Sequence, residues 1–415
     1  MRPTPSASAP LGRPAPRLSP WRFVVVFGSV SLLMDFAYEG ARSVTGPLLA
    51  HLGASAAVVG VVTGAGEAAA LGLRLVSGPL TDRSRRFWAW TIAGYVLTAV
   101  SVPVLGLAGI LWVACTLVVA ERVGKAVRSP AKDTLLSHAT AATGRGRGFA
   151  VHEAMDQVGA LLGPLTVAGI LALTGDDYAP ALGVLALPGA AAIALLVWLR
   201  ARVPDPIDYE RAAGVPVPVS DVPYSVPPED VRLPRAFWAY AAFTAATLTG
   251  FATFGVLSYH LVTRHLMSAA AVPVLYAAAM AADALAALAT GWLYDRFGAR
   301  VLIVLPLLSA VVPALAFTST LWIAMAGSLV WGAAVGVQES TLRATVADLV
   351  PSGRRATAYG LFAGILGAAA LVGGALTGAL YDVSVPALVF TVAGIQAAAL
   401  VLLWSTRAAH TTPGR

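Results

Sequence analysis

The stretch GPLTDRSRR, residues 78–86, closes a long apolar run with a glycine, an aspartate and three arginines. A related stretch, GWLYDRFGAR, closes another apolar run at residues 291–300, so glycine, aspartate and arginine recur 213 positions later. A second pair of similar stretches, SPAKDT at 129–134 and STLRAT at 340–345, is separated by 211 positions. Two matches at nearly the same offset indicate that the chain contains two copies of one half.

The chain as a whole is too apolar for a water-soluble protein of 415 residues, because 58% of its residues are hydrophobic and only 12% are charged. A membrane-spanning helix needs roughly 20 largely apolar residues. We therefore predict an all-α membrane protein with twelve transmembrane helices in two pseudo-symmetric six-helix bundles. The twelve runs are residues 21–52, 54–80, 87–109, 110–136, 147–173, 179–201, 236–263, 267–294, 299–318, 320–349, 356–381 and 385–406.

The net charge of +7 is spread along the chain rather than collected on one face. Arginines cluster before the first run and in every second connection, whereas the opposite connections hold few. This asymmetry is the positive-inside pattern, and it predicts a plasma (inner) membrane protein with both termini in the cytoplasm. It also argues against nucleic-acid binding, which needs one continuous basic surface.

The composition changes sharply at residues 203–235, where closely spaced prolines and acids replace the apolar runs. We predict a cytoplasmic linker there. It separates a first six-helix half, residues 21–202, from a second, residues 236–407. Residues 1–20 are rich in proline and serine and are expected to be a disordered cytoplasmic tail, and residues 408–415 form a second tail.

The pattern G-x-L-x-D-R-x-R-R at 78–86 resembles the signature loop of the major facilitator superfamily, and 291–300 resembles its shorter second copy. A further motif, Gly159 to Gly163-Pro164, is similar to the G-x-x-x-G-P signature of the drug/proton antiporter branch. The resemblance implies a cytoplasmic gate, and small residues at this spacing suit close helix packing. The implied gate residues are Gly78, Asp82, Arg83, Arg86, Asp295, Arg296, Asp133 and Asp348.

Two features of this implied gate depend on local context. We expect Asp82 to lie near the start of a helix and to accept backbone N–H bonds there, and Gly78 to allow a close approach. Family members often carry an aspartate at the end of the fourth helix, where this chain has His138. Either Asp133 substitutes for that acid, or the gate responds to pH.

Ionisable side chains inside the runs are costly in lipid unless they are paired or face a wet cavity, so they are candidate functional residues. Most lie in the first half. Asp35, Glu39 and Arg42 share one helix face, and Glu121, Lys125 and Arg128 share another. The predicted substrate or charge network consists of Glu39, Arg42, Lys125, Arg128, Glu153, Asp156, Glu339 and Arg343.

Proton coupling needs a carboxylate that gains and loses its proton as its surroundings change. We choose Asp35 and Glu121 first, because Lys125 can compete with the proton, and Glu67 and Asp283 next. At about 1.5 Å per residue these acids lie near the middle of the bilayer. Arg128, Glu153 and Asp156 lie nearer the cytoplasm, where the fourth and fifth runs could pair. The alternative is a fully paired network with only a structural role.

The preferred function is secondary active transport of a small solute by alternating access, as proton-coupled efflux. Uptake of an anionic metabolite by symport or facilitation, through Lys125 and Arg128, is the alternative, and a membrane sensor or scaffold that transports nothing is a third. No phosphate-binding loop or metal-ligand cluster is recognisable, so we expect no enzymatic activity, cofactor or metal. The expected partners are a small-molecule substrate, protons and the lipid bilayer, and the protein is expected to be a monomer.

Overall fold

The computed structural model describes residues 18–212, 233–350 and 355–411. Residues 1–17, most of the predicted linker and the last four residues lie outside this part, and with them most of the two predicted tails. The described residues are helical with short connections. The helices are α1 (Pro20–His51), α2 (Ala56–Gly72), α3 (Arg74–Ser84), α4 (Phe87–Gly106), α5 (Leu111–Thr143), α6 (Arg145–Thr174), α7 (Tyr178–Gly183), α8 (Ala186–Arg202), α9 (Ile207–Ala212), α10 (Arg235–Thr249), α11 (Phe254–Thr263), α12 (Val272–Phe297), α13 (Val304–Ala316), α14 (Leu321–Leu349), α15 (Arg355–Val383) and α16 (Val385–Thr411).

Ten helical segments of the described chain are long and apolar enough to cross a membrane. One of them, Val272–Ala316, has 45 residues and contains both α12 and α13, joined by a 3-10 turn at Gly298–Ile303. The long helix α5 is absent from the ten because four charged residues interrupt its apolar part. Counting α12 and α13 separately and adding α5 is consistent with twelve crossings. The protein is therefore a multi-pass, all-helical membrane protein.

Several predicted runs are not single helices. The second run divides at Leu73 into α2 and α3, and the sixth divides into α7 and α8. The seventh run breaks between α10 and α11, where the Thr253 hydroxyl caps α11 by accepting a 3.4 Å hydrogen bond from the Val256 N–H. The Trp331 indole donates to the buried Ala252 carbonyl at 2.8 Å, which satisfies a backbone group that the break leaves without a helical partner.

Helices of the first half pack closely because glycines replace larger side chains at the contacts. A methyl group added to Gly159 would lie 2.2 Å from the Leu32 carbonyl oxygen, and one added to Gly163 would overlap the Phe36 carbonyl oxygen in the same way. The G-x-x-x-G-P stretch of α6 therefore lies directly against the backbone of α1.

The two halves meet chiefly along three pairs of helices: α1 with α11, α2 with α15, and α6 with α12. Smaller contacts join α2 with α11, α1 with α12, and α3 with α15. We call the end of the bundle with residues 82–86 and 295–296 the motif side, and the opposite end the far side. Hydrogen bonds join the halves. They run from the Ala56 and Ala57 N–H groups to Asp382, from the Ala270 N–H to Asp176, between Thr63 and Thr253, and from Tyr276 to Glu39.

These bonds lie on the far side or near the middle of the bundle. Glycines reinforce the closure: methyl groups on Gly60 and Gly374 would each come within 2.3 Å of the other residue's carbonyl oxygen, so α2 and α15 touch backbone to backbone. The halves are therefore sealed together on the far side.

The first part of the predicted linker is ordered against the first half. The Tyr209 hydroxyl of α9 donates to the Leu18 carbonyl at 2.9 Å, and the Trp88 indole donates to the Pro204 carbonyl at 3.0 Å. Burial raises the pKa of Tyr209 to about 12. Residues 203–212 thus belong to the folded first half, while residues 213–232 lie outside the described residues.

Candidate functional site

A cavity of about 970 Å³ lies between the two halves. Its walls come from α1 to α6 of the first half and from α10 to α12, α14 and α15 of the second, together with the residues at the α10–α11 break. The size suits a small organic molecule. A site between two halves that are sealed on one side is the arrangement expected for binding with access from the other side.

The charged residues predicted for proton coupling and for the charge network line this one cavity. Arg343 belongs to the same prediction, but its side chain lies outside the described residues. The lining includes Asp35, Glu39, Arg42, Glu67, Glu121, Lys125, Arg128, Asp133, Glu153, Asp156, Asp283 and Glu339. Sequence reasoning did not choose Arg74, Arg122 or Lys132 for the site, although these cations also line it.

The first half holds a continuous chain of ion pairs. Glu67 lies between two cations, with its Oε1 atom 3.1 Å from Arg42 and 3.3 Å from Arg122. Arg42 also lies 3.6 Å from Glu39, and Arg122 lies 3.3 Å from Glu121. Each of these three acids therefore has a cation partner, as buried charges require.

Tyr38 also belongs to this network, although it is uncharged and was therefore not predicted. Its hydroxyl oxygen accepts hydrogen bonds from Arg122 and, at 3.2 Å, from Lys125. The Lys125 ammonium also lies 4.3 Å from the centre of the Tyr38 ring, a cation–π contact. Among the described ion pairs within 4.0 Å, none includes Lys125, so a neutral phenol is its main partner.

The charges nearer the motif side pair differently from the expectation. Arg128 contacts Asp35 of α1 at 3.7 Å and donates to Thr98 at 3.1 Å, rather than pairing with an acid of α6. The α5–α6 pair is made one turn later by Lys132, which lies 3.7 Å from Asp156. The sequence placed these helices side by side correctly, but the rotation of α5 turns Arg128 toward α1.

Asp283 differs from the other buried acids of the cavity because it takes part in no ion pair of the described residues. It is only 2% exposed, its Oδ1 atom has no hydrogen-bond partner, and no described ion pair includes it. The charged groups that face it are Glu39, Arg42, Glu153 and Glu339, so acids outnumber cations around it. Asp283 lies seven residues after Tyr276, whose hydroxyl donates to Glu39 across the halves at 2.5 Å.

The loop-motif residues are separate from the cavity, and two expectations about them are wrong. Asp82 lies in the last turn of α3 rather than near the start of a helix, because α3 continues to Ser84 before the chain turns at Arg85. Gly78 allows no close approach, since a methyl group added there would meet nothing within 4 Å. Arg83, Arg86, Asp295 and Arg296 are exposed.

The ends of α5 and α14 differ in the way that their sequences suggest. Asp348 accepts a 2.8 Å hydrogen bond from the hydroxyl of Tyr294. Tyr294 directly precedes the motif residue Asp295. At the equivalent end of α5, His138 lies 3.1 Å from Glu210 of α9, although its Nδ1 atom lacks the geometry of a hydrogen bond. An acid from the linker, rather than Asp133, is thus the closest charged partner of His138.

The far-side acids Asp176 and Asp382 were missed as interacting residues. The Asp382 carboxylate accepts 3.1 and 2.8 Å hydrogen bonds from the first two N–H groups of α2, and Asp176 accepts one of 3.0 Å from Ala270. An aspartate at the end of a helix or in a short loop carries no signal in sequence when its partner is the backbone of the other half.

Comparison with known proteins supplies the family context. The family model described as Major Facilitator Superfamily matches residues 26–267 and 256–415. An uncharacterized protein of Mycobacterium tuberculosis is 64% identical over 403 residues, which cover 97% of each chain.

Two solved structures are similar in fold. The nucleoside transporter NupG superposes with a TM-score of 0.68 at 12% identity, covering 94% of this chain and 100% of that one. A bacterial homolog of the human lysosomal transporter Spinster, in an inward-facing and unoccupied conformation, gives 0.65 at 17% identity, covering 94% and 95%.

Proposed function

Because the chain belongs to the Major Facilitator Superfamily, we propose that it moves a small solute across the plasma membrane by alternating access, as proton-coupled efflux. The family and its structural neighbours are transporters, so the protein is a membrane transporter and not an enzyme. The observation that carries the coupling proposal is Asp283, which is buried without an ion-pair partner among the described residues, in a cavity sealed on the far side.

The orientation follows from the distribution of arginines. The positive-inside rule would place the motif side, with Arg83, Arg85 and Arg86, in the cytoplasm. The described conformation would then be closed toward the outside and accessible from the inside. Export begins with loading from the cytoplasm, and an inward-accessible cavity suits that step.

Asp283 supports proton coupling better than the two acids preferred from sequence. Asp35 and Glu121 each have an arginine within 4.0 Å, so removing or adding a proton would break an ion pair. Among the described residues Asp283 has no cation within 4.0 Å, and burial without a close counter-charge favours the neutral acid over the carboxylate. We therefore propose Asp283 as the proton carrier and place Asp35 and Glu121 in the supporting network.

The position of Asp283 also explains how a proton would control access. It lies two helical turns toward the motif side from the Tyr276–Glu39 contact, because α12 runs from the far side to the motif side. Only 2% of the Asp283 surface is exposed, and closing the motif side would remove this remaining contact with the water of the cavity. That step is favourable when Asp283 is neutral and costly when it is charged.

This proposal can be tested without knowing the substrate. Cys115 is the only cysteine, so a Cys115→Ala background allows two spin labels, at Leu107 and Ser319, on exposed far-side ends of opposite halves. We expect lower pH to increase the population with a long label separation. Asp283→Asn should hold that population high at every pH, while Asp35→Asn should keep the pH dependence.

The opposite pH responses of these variants would indicate that an acid of the first half carries the proton. If Asp283→Asn retains the pH response of the parent and Asp35→Asn or Glu121→Gln abolishes it, Asp283 is not the proton carrier. Once a substrate is found, proteoliposomes with a proton gradient give the direction, since efflux requires solute movement against the proton flow.

A second candidate function is uptake of an anionic metabolite. Lys125 favours it, because this ammonium lines the cavity without a carboxylate partner among the described residues. In that case Lys125→Ala should abolish solute binding, while the pH-dependent opening that depends on Asp283 should remain.

A further inference from the structure

The cavity is lined by two charged side chains of opposite sign that take part in none of its described ion pairs. The Lys125 ammonium projects from α5 in the first half, and the Asp283 carboxylate projects from α12 in the second. Neither belongs to an ion pair of the described residues within 4.0 Å. They stand on opposite halves, so a bound molecule could contact both at once.

Lys125 has capacity for an anionic oxygen. An ammonium group has three N–H donors, and the described contacts of Lys125 use one of them, on the Tyr38 hydroxyl. The same hydroxyl oxygen also accepts from Arg122, so one neutral oxygen serves two cations. A carboxylate beside Lys125 would replace a weak partner by a strong, charge-assisted one.

Asp283 has the complementary capacity for a cation. Its Oδ1 atom is buried without a donor, and three of the four charged groups that face it are acids. The rings of Phe254 and Trp331, whose centres are 5.3 Å apart, line the same cavity and add no charge to it. An ammonium group is favoured here, and a carboxylate is repelled.

The spacing between the two charges limits the ligand. Tyr276 is tied to Glu39, the neighbour of the Tyr38 that holds Lys125, and Asp283 lies seven residues farther along α12. Seven residues of helix span about 10 Å. The two charges are therefore on the order of 10 Å apart along the bundle axis, which matches about three residues of extended peptide backbone.

We propose that the cavity binds a zwitterion whose cationic and anionic groups are on the order of 10 Å apart, such as a long ω-amino acid or a short peptide, between Asp283 and Lys125. This inference rests on the proposed transport function and names its substrate class. It accounts for the evidence behind both candidate functions, since one molecule satisfies the acid that favours a cation and the base that favours an anion. Because each half supplies one charge, the ligand would also favour conformations that bring the halves together.

The test uses the purified full-length protein in lipid nanodiscs and three series of probes of increasing chain length: linear ω-aminocarboxylic acids, α,ω-diamines and α,ω-dicarboxylic acids. Binding is measured by calorimetry. We expect an ω-amino acid of optimal length to bind at least about tenfold more tightly than the diamine and the diacid of the same length, a difference of about 1.4 kcal/mol.

Two variants should invert this preference. Lys125→Met should make the diamine the best probe, and Asp283→Asn should make the diacid the best, whereas Asp208→Asn in the linker should change nothing. The proposal is overturned if diamines or diacids bind the parent protein as well as amino acids do, if no series binds, or if Lys125→Met keeps the preference for the amino acid. The parent series decides even if a variant fails to fold.

Failure here would leave the transport proposal standing. The pH-dependent far-side opening through Asp283 requires no ligand, so it can succeed while every zwitterionic probe fails. Conversely, zwitterion binding without pH-dependent opening would retain this site and reject proton coupling through Asp283.

Discussion

The far-side closure should weaken when Asp382 is changed to asparagine. The carboxylate accepts hydrogen bonds from two N–H groups at the start of α2, in the other half, where the helix dipole also favours a negative charge. Asparagine keeps the shape and one acceptor, so the variant loses one charge-assisted bond and the interaction with the dipole.

The size of the effect follows from these two losses. A hydrogen bond to a charged group contributes about 1.5–3 kcal/mol when buried, and the dipole term about 0.3–1 kcal/mol. Asp382 is exposed, which reduces both terms, so we expect a net loss of about 1–2 kcal/mol. The ratio of far-side-open to far-side-closed molecules should then rise about 5–30-fold.

Spin labels at Leu107 and Ser319 in the Cys115→Ala background measure this ratio directly. Asp177→Asn is the matched control, because the Asp177 carboxylate also caps a helix, accepting from Ala179 at 2.9 Å, but within one half. The reasoning would be refuted by an unchanged distance distribution in the Asp382 variant, or by an equal change in the control.

Three further predictions concern packing, the charge network and the linker helix. Gly374→Ala should open the far side at a cost of about 1–3 kcal/mol to the closed form, since the new methyl group would lie 2.3 Å from the Gly60 oxygen; Gly394→Ala, with nothing within 4 Å, should leave the label distances unchanged. Glu67→Gln should lower the free energy of unfolding in mixed micelles by about 2–3 kcal/mol because two arginines lose their carboxylate, whereas the exposed Glu153→Gln should lower it by less than about 1 kcal/mol; similar losses would argue against the network. Burial disfavours the phenolate of Tyr209, so the stability of α9 docking should fall as pH rises from about 10 to its pKa of about 12. The phenolate absorbance of the parent protein should show a component that titrates late, and Tyr209→Phe should remove it. An identical titration in both proteins would contradict the docking of Tyr209.

The sequence predicts an all-helical membrane protein because the bilayer fixes the length of an apolar helix, and the ten spans found are consistent with the predicted twelve. It does not predict that the seventh run breaks, since that break depends on a distant residue. Trp331 satisfies the Ala252 carbonyl only after α14 has packed beside α10 and α11. Likewise, the motif at 78–86 identified the family, but the place of Asp82 at the end of α3 depends on where the helix stops.

The cavity residues could be found because charge in an apolar run is costly and therefore noticeable. Their partners could not be found, because pairing depends on the rotation of each helix. Arg128 was expected to reach α6 and instead reaches Asp35, and Tyr38, which carries no charge, joins Arg122 to Lys125. Charges in the apolar runs therefore located the cavity residues, and they ranked Asp283 behind Asp35 and Glu121 as the proton carrier, an order that our proposal reverses.

That reassignment gives the first-half network a different purpose. A chain of pairs that runs from Glu39 through Arg42 and Glu67 to Arg122 ties α1, α2 and α5 together, so these helices should move as one body. The Tyr276–Glu39 bond attaches that body to α12, the helix that carries Asp283. Opening the far side separates the halves and must break this bond. A change of charge at Asp283 would therefore act on a contact two turns away on the same helix. Coupling between the proton and the far-side closure then requires no pathway through other helices.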